Sequence, residues 1–180
     1  MKKILFLNLT ILIFYFLSCS NLLFRSKVID YSGRDLSKKD FSNKNLKGYI
    51  FKSANLNNSI MVNTKLDNAD FTNANLSYSN MKDSELNNTI LKDADLFSID
   101  FTNANLKKIN FANLNLSNVN FTDADLRNAD FENADLTGAL FYGADLRNAN
   151  FKNAKVELTT LFDAKYINGA IMPYGTVYKK

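Results

Sequence analysis

Large apolar residues recur at every fifth position along most of the chain. The series begins at Tyr31 and continues without a skipped step through Leu161 and Tyr166 to Ile171. Successive members would be roughly 140° apart on an α-helix and on opposite faces of a strand, so neither element would gather them on one side. A chain that turns a corner after every five residues points all of them at a common axis. The pattern therefore predicts a solenoid, in which each unit buries its apolar side chains against its neighbours.

Two other positions of the five-residue unit are also biased. The residue two places before the apolar centre is small, most often Ala, and the residue directly before the centre is usually Asp or Asn. The units ADLRN, ADFEN, ADLTG and ANFKN within Ala124–Asn153 resemble the pentapeptide-repeat family, and the resemblance covers roughly residues 31–171. It implies an all-β fold, a right-handed quadrilateral β-helix with four five-residue sides per coil and about seven coils.

Twenty residues per coil would sort the apolar centres into four columns. Leu fills two of these columns almost completely, and aromatic residues dominate the other two, which face each other across the interior. Because large and small side chains then share the interior, we interpret these residues as packing positions and not as a ligand site. The expected core columns contain Phe101, Phe121 and Phe141 on one side, and Phe111, Phe131 and Phe151 on the other.

One coil departs from the small-residue rule. Its small positions hold Ile99, Ile109, Leu114 and Val119, and only Ala104 keeps the usual size. Because overfilling a tight interior strains it, we expect a local widening or bend near residues 99–119. Elsewhere the outward positions are rich in Asn, which tolerates a left-handed backbone and forms local hydrogen bonds at corners.

The N-terminal residues have the features of an export signal. A short basic start precedes the apolar run Ile4–Leu17, which is shorter than the about 20 residues of a membrane-spanning helix and fits a secretory signal peptide. Residues 16–21, which contain the chain's only cysteine, resemble the lipobox of bacterial lipoproteins, in which the cysteine is lipidated. We therefore divide the chain into a signal peptide (1–18), the lipidated Cys19 with its tether (19–30), the repeat β-helix (31–171) and a C-terminal cap or tail (172–180).

The lipobox match leaves a second reading open. Phe16 and Leu17 are bulkier than the usual residues of the motif, and Ser18 and Ser20 would also permit cleavage by an ordinary signal peptidase. That cleavage would give a secreted soluble protein. In the lipoprotein reading, no Asp directly follows Cys19, and by resemblance to enteric sorting rules this favours the outer membrane or cell surface.

Composition argues against most catalytic chemistry. The chain has no His and a single Cys, so the commonest general base and metal ligand is missing, and we expect no enzyme activity, no bound metal and no cofactor. Residues 31–171 contain sixteen Lys or Arg and seventeen Asp or Glu, a net charge of −1. Some pentapeptide-repeat proteins resemble DNA through a strongly acidic surface, so this balance predicts no nucleic-acid mimicry and no nucleic-acid partner. Positive charge gathers near the proposed anchor, either as a solvated face or as a contact with anionic lipid, at Lys38, Lys39, Lys44, Lys47 and Lys52.

Apolar residues at outward positions supply the candidate functional site. Leu140, Tyr142 and Phe162 are expected to form a small patch near the C-terminal end, and exposed apolar patches are typical of partner-binding surfaces. The last residues break the period and either cap the last coil or form a homodimer contact, which is frequent in the family. The sequence thus predicts a non-catalytic scaffold or interaction rod of the bacterial cell envelope, held to a membrane through Cys19, with an unidentified protein partner. The alternative is a secreted soluble protein of the same fold.

Overall fold

A computed structural model describes residues 28–179. The predicted signal peptide and Cys19 lie outside these residues. From Asp30 to Asp135, the residue before each apolar centre forms a parallel β-bridge with the residue twenty positions later, as Asn55 does with Asn75, except at Ile90 and Asp95. Twenty residues therefore make one four-sided coil, and successive coils stack into a quadrilateral β-helix. Within residues 28–179 the β-structure consists of these single-residue bridges, and the helical segment is α1, Leu158–Phe162.

Each corner of a coil is a tight turn of one kind. Ala54 donates its N–H to the carbonyl of Phe51 at 3.0 Å, and Ser53 between them has a φ of 54°. A positive φ at the third turn residue, without one at the second, defines a type II β-turn. Among the described residues Asn occupies thirteen of the twenty-one non-Gly positions with positive φ. Since Asn adopts this conformation at lower cost than most residues, the predicted structural reason for the Asn excess is confirmed.

The apolar centres form the interior of the β-helix, and the two predicted Phe columns are confirmed. Rings within a column stack: the centroids of Phe131 and Phe151 are 4.8 Å apart. Rings of opposite columns meet edge to face, as Phe121 and Phe131 do at 5.8 Å with an interplanar angle of 80°. All six predicted Phe residues are buried. The two columns therefore interlock across the axis and leave no room for a ligand between them.

Small residues beside the aromatic columns complete the core. Most are buried Ala, but five buried Ser or Thr take the same position in the N-terminal coils. Thr64 and Thr89 donate their Oγ1–H to the carbonyls of Phe41 and Leu66, at 3.1 and 3.0 Å. The buried Oγ atoms of Ser59 and Ser79 have no hydrogen-bond partner. A hydroxyl at this position is therefore tolerated, and only some of these hydroxyls find an acceptor.

The five-residue register ends in the last coil. Helix α1 occupies one side, and beyond it the bridges join residues twenty-one apart, as between Asp145 and Tyr166. The prediction that Tyr166 and Ile171 are interior centres is therefore wrong: Tyr166 is 46% exposed, and Ile171 forms a bridge with Asn150. The helical turn adds one residue to the coil, which the period alone did not indicate. The buried centres move one residue on, to Ile167 and Met172.

The C-terminal residues fold back onto this last coil. Ile171 forms an antiparallel bridge with Val177. Tyr178 donates its N–H to Ala170, and Gly169 donates its N–H to Tyr178, both at 2.8 Å. The hairpin forms hydrogen bonds with backbone groups to which a further coil would otherwise bind. It therefore covers a sheet edge that could otherwise pair with another chain.

Candidate interaction surfaces

Chemistry-bearing side chains do not converge within the part of the chain that the structure describes. Over residues 28–179 no group of three or more His, Cys, Asp and Glu is arranged to hold a metal ion. The same residues include no helix long and apolar enough to cross a bilayer. The predicted lipid attachment residue, Cys19, lies outside the described range. The candidate sites are therefore surfaces and clefts of the β-helix itself.

Exposed apolar side chains concentrate near the C-terminal end. Of the eleven large apolar residues exposed among residues 28–179, seven lie beyond residue 139. They include the three residues predicted from the sequence, with exposures of 55% for Leu140, 71% for Tyr142 and 52% for Phe162. The other four were not singled out, because the shifted register and the hairpin bring them to the surface. These four are Leu158, Tyr166, Tyr174 and Val177.

Local structure explains why the three predicted residues point outward. Leu140 and Tyr142 flank Phe141, whose side chain is buried, so they extend from the same side of the coil into solvent. Phe162 ends helix α1 and follows Leu161, which is fully buried and fixes the helix to the core. The ring of Phe162 packs against Tyr178 of the hairpin, with centroids 5.7 Å apart. We refer to Leu140, Tyr142 and Phe162 as the C-terminal patch.

Two carboxylates in the second half of the β-helix are paired with arginines. Arg127 donates from Nε and Nη2 to the two carboxylate oxygens of Asp125, both at 2.8 Å, and Arg147 holds Asp145 in the same way. Burial raises the pKa of each Asp, but it is outweighed and the pKa is lowered by hydrogen bonds from Arg127 and Lys107 to Asp125, and by those from Arg147 to Asp145. Both carboxyls are therefore charged at neutral pH and locally neutralised, so this face does not form an open acidic surface.

The basic cluster near the N-terminal end is partly neutralised. Lys47 forms an ion pair with Asp67, and Lys52 pairs with Asp70 at 3.2 Å. Lys38, Lys39 and Lys44 form no ion pair with any described residue. Positive charge thus remains on the first coil, at the end of the β-helix that follows the predicted tether.

A cleft opens between two coils in the middle of the rod. Six consecutive inter-coil backbone hydrogen bonds of the regular ladder are absent between residues 88–96 and residues 107–115. The opposite half of the same coils is intact, as shown by the bond of 2.8 Å from Phe101 N–H to the carbonyl of Asn120. The cleft has a volume of about 440 Å³. The pairs whose regular hydrogen bonds are missing are Asn88–Lys107, Leu91–Asn110, Asp93–Ala112, Leu96–Asn115, Asn110–Thr89 and Asn115–Ala94.

The cleft lies where large residues replace the usual small ones. Ile109 and Leu114 occupy the small positions of the coil on its C-terminal side, above Thr89 and Ala94 of the preceding coil. The predicted widening near residues 99–119 is confirmed for the part of that coil that borders the cleft. The other border, residues 88–96, was not predicted. The cleft lies between two coils, but only one of them carries large residues at the small positions beside it.

Comparison with known proteins agrees with this architecture. The family described as pentapeptide repeat region matches residues 90–161, and the family described as pentapeptide repeats (8 copies) matches residues 61–93, so together they cover more than half of the chain. No curated protein matches the chain significantly.

Several solved structures are similar to the chain. HetL, a pentapeptide repeat protein involved in heterocyst differentiation regulation from the cyanobacterium Nostoc, is 22% identical over 84% of this chain and 90% of its own, with a TM-score of 0.33. QnrB1, a plasmid-mediated fluoroquinolone resistance protein, is 16% identical over 81% of this chain and 92% of its own, with a TM-score of 0.39. A pentapeptide repeat protein from the thylakoid lumen of Arabidopsis thaliana is 26% identical over 81% and 84%, with a TM-score of 0.21. Given the family matches, the chain belongs to the pentapeptide-repeat family, and its fold is the right-handed quadrilateral β-helix of that family.

Proposed function

We propose that the protein is a non-catalytic interaction rod of the bacterial cell envelope, anchored to a membrane by lipid on Cys19, which binds a partner protein through the C-terminal patch. The observation that carries this proposal is the uneven distribution of exposed apolar side chains. Seven of the eleven exposed large apolar residues in the described range lie beyond residue 139, at the end far from the proposed anchor. Exposed apolar side chains gathered in one region are typical of sites of protein interaction.

The β-helix supports this role as a spacer. Outside the mid-rod cleft its backbone ladder is regular, and this ladder and the interlocked Phe columns resist bending. With about seven coils spaced by about 4.8 Å, the patch would lie roughly 30 Å from the first coil. A lipid at Cys19 would therefore hold the N-terminal end at a membrane while the C-terminal patch is presented away from it.

Charge supports the same orientation. Lys38, Lys39 and Lys44 on the first coil form no ion pair with described residues and would face anionic head groups if the tether holds that coil near a bilayer. The paired carboxylates and the nearly neutral repeat region do not favour mimicry of a nucleic acid. The outer membrane or the cell surface is the location that the residues after Cys19 favour.

Lipid attachment is tested by metabolic labelling. Cells that express the full chain are fed radiolabelled palmitate, beside cells that express Cys19→Ala. We expect label and membrane association in the wild type only. An unlabelled wild type that appears in the medium would support the alternative, a secreted soluble protein cleaved near Ser20.

Partner binding is tested by photo-crosslinking in the same cells. A photoreactive amino acid replaces Tyr142 in one strain and Tyr78, which is equally aromatic and 55% exposed but lies in the N-terminal half, in another. We expect a discrete crosslinked species from position 142 and not from position 78. A species of twice the chain's mass would indicate a homodimer, and equal crosslinking from both positions would rule against the C-terminal patch.

A further inference from the structure

We propose that the mid-rod cleft is an acceptor site for an extended peptide segment of another polypeptide, whose main chain takes the place of the missing inter-coil hydrogen bonds. This inference is independent of the proposed membrane anchor and of the C-terminal patch. It rests on the backbone groups that border the cleft, on the side chains that hold the cleft open, and on its apolar lining.

The two borders of the cleft present complementary edges of a parallel sheet. On one border the N–H groups of Leu91 and Asp93 lack the carbonyl partners that their counterparts have in other coils, such as Phe71 N–H with Ile90 at 2.8 Å. On the other border the carbonyls of Asn110 and Ala112 lack their donors. Nearly all sequestered backbone groups in proteins are hydrogen-bonded. A strand between the borders would accept hydrogen bonds from one and donate hydrogen bonds to the other, which is the recognition mode called β-augmentation.

Closure of the cleft by the protein itself is opposed by its own side chains. Ile109 and Leu114 fill positions where most other coils carry Ala, and bringing the borders together would press them against Thr89 and Ala94 of the preceding coil. On the intact half of the same coils, Ile99 and Val119 are accommodated with the ladder formed. Thr89 does not relieve this crowding by turning outward, because its Oγ1–H is already donated to the carbonyl of Leu66 at 3.0 Å. The missing bonds are therefore left for an external partner.

The apolar side chains that line the cleft favour an extended peptide as its occupant over water alone. Ile90 is 47% exposed and lines the cleft together with Leu91 and Leu114, while Lys92 and Asp93 contribute charges. Water would satisfy the backbone groups but would leave Ile90 exposed. A strand places alternate side chains on opposite sides, so it would direct small apolar residues at Ile90 and its polar residues at solvent. The volume of about 440 Å³ falls in the usual range of ligand sites, which is about 300–1,000 Å³.

Hydrogen exchange on the purified full chain tests whether the site is open. We expect the amides of Leu91, Asp93 and Leu96 to exchange at least about tenfold faster than those of Phe71, Asn73 and Leu76 in the preceding coil, whose ladder bonds are formed. Equal protection of the two sets would mean that the cleft is closed in solution and would overturn the proposal.

Peptide binding is then tested with a defined probe. The probe is the capped pentapeptide acetyl-Thr-Ala-Val-Ala-Thr-amide, and its control is the same peptide N-methylated at the three central residues, which removes the donors of a strand. We expect the probe to slow exchange and shift NMR resonances of residues 88–96 and 107–115, and the methylated peptide to bind at least about tenfold more weakly. Equal effects of both peptides, or shifts elsewhere in the chain, would overturn the proposal.

Two variants connect binding to the open state. The double substitution Ile109→Ala and Leu114→Ala restores the usual small residues and should close the ladder, protect the amides of Leu91 and Asp93, and abolish probe binding. The matched control, Ile99→Ala with Val119→Ala, alters the intact half of the same coils and should leave the cleft open and the probe bound. Exchange in residues 121–136 reports that each variant remains folded. If the Ile109→Ala and Leu114→Ala variant protects the amides of Leu91 and Asp93 but still binds the probe as the wild type does, the proposal is contradicted.

Discussion

Phe131 stacks on Phe151 with ring centroids 4.8 Å apart and only 4° between the ring planes, although twenty residues separate them. This distance equals the spacing of neighbouring strands in a β-sheet, about 4.8 Å. These two rings are therefore held in register with the backbone ladder that surrounds them. Phe131 also meets Phe121 and Phe141 of the opposite column nearly edge-on. Side-chain packing and backbone hydrogen bonding thus specify one register together.

Truncation of one interior ring should be costly. Phe131→Ala removes a fully buried ring that contacts four other rings, so we expect a loss of about 3–5 kcal/mol in the free energy of unfolding. Phe131→Leu is the control, because Leu91 already occupies the same column, and it should cost less than about 1.5 kcal/mol. Urea denaturation followed by circular dichroism measures both. Equal losses for the two variants would contradict this expectation, because they would assign the cost to the ring contacts themselves and not to the buried volume that Leu largely keeps.

The features that repeat could be predicted from the sequence, and the features that break the repeat could not. The column of Phe111, Phe131 and Phe151 follows from the period alone, because each ring has the same neighbours one coil away. The period wrongly predicts Tyr166 as an interior residue because α1 adds a residue to one coil. The spacing of the apolar residues does not indicate that addition. The cleft was predicted only on the side of Ile109 and Leu114. Its other border, residues 88–96, follows the usual size pattern. The inter-coil hydrogen bonds missing there depend on residues 107–115 of the next coil.

Buried hydroxyls without partners should lower stability. The Oγ atoms of Ser59 and Ser79 are buried and unpaired at positions where most coils have Ala. We expect Ser59→Ala and Ser79→Ala each to raise the free energy of unfolding by about 1 kcal/mol, because no desolvated hydroxyl remains. Ser84→Ala is the matched control: its Oγ donates a hydrogen bond of 2.5 Å to the carbonyl of Met81, so removal should not stabilise. Thermal denaturation distinguishes these outcomes, and a stabilised Ser84→Ala would contradict the explanation.

The turn positions allow a reciprocal test of backbone strain. Lys108 and Asn128 occupy equivalent corners of adjacent coils, with φ values of 58° and 59°. Left-handed backbone costs about 1–2 kcal/mol for most residues and less for Asn. Lys108→Asn should therefore stabilise the fold by up to about 1 kcal/mol, and Asn128→Lys should destabilise it by a similar amount. Both side chains are exposed, so packing changes little. Chemical denaturation gives the two differences, and shifts of the same sign would exclude strain as their cause.

Acid should remove the contribution of the carboxylate–arginine pairs. Burial raises the pKa of Asp145, but hydrogen bonds from Arg147 outweigh it, so the folded-state pKa lies below the unfolded value of about 3.9. A carboxyl with a lowered pKa stabilises the fold above the unfolded value, and this stabilisation is lost as the pH falls through the folded value. We expect Asp145→Asn to lose up to about 1 kcal/mol at pH 6, and its difference from the wild type to shrink as the pH falls below the unfolded value of about 3.9.

The control for this pH dependence is Asp123→Asn, since Asp123 forms no ion pair with any described residue. Asp123 lies at a turn position with a φ of 56°, which Asn also adopts readily, so the substitution changes charge with little effect on the backbone. Its difference from the wild type should stay small at every pH. Urea unfolding at pH 6, 4 and 3 separates the two variants. An Asp145→Asn difference that persists unchanged at low pH would assign the loss to side-chain packing, because a protonated Asp145 could no longer form the charged pair with Arg147.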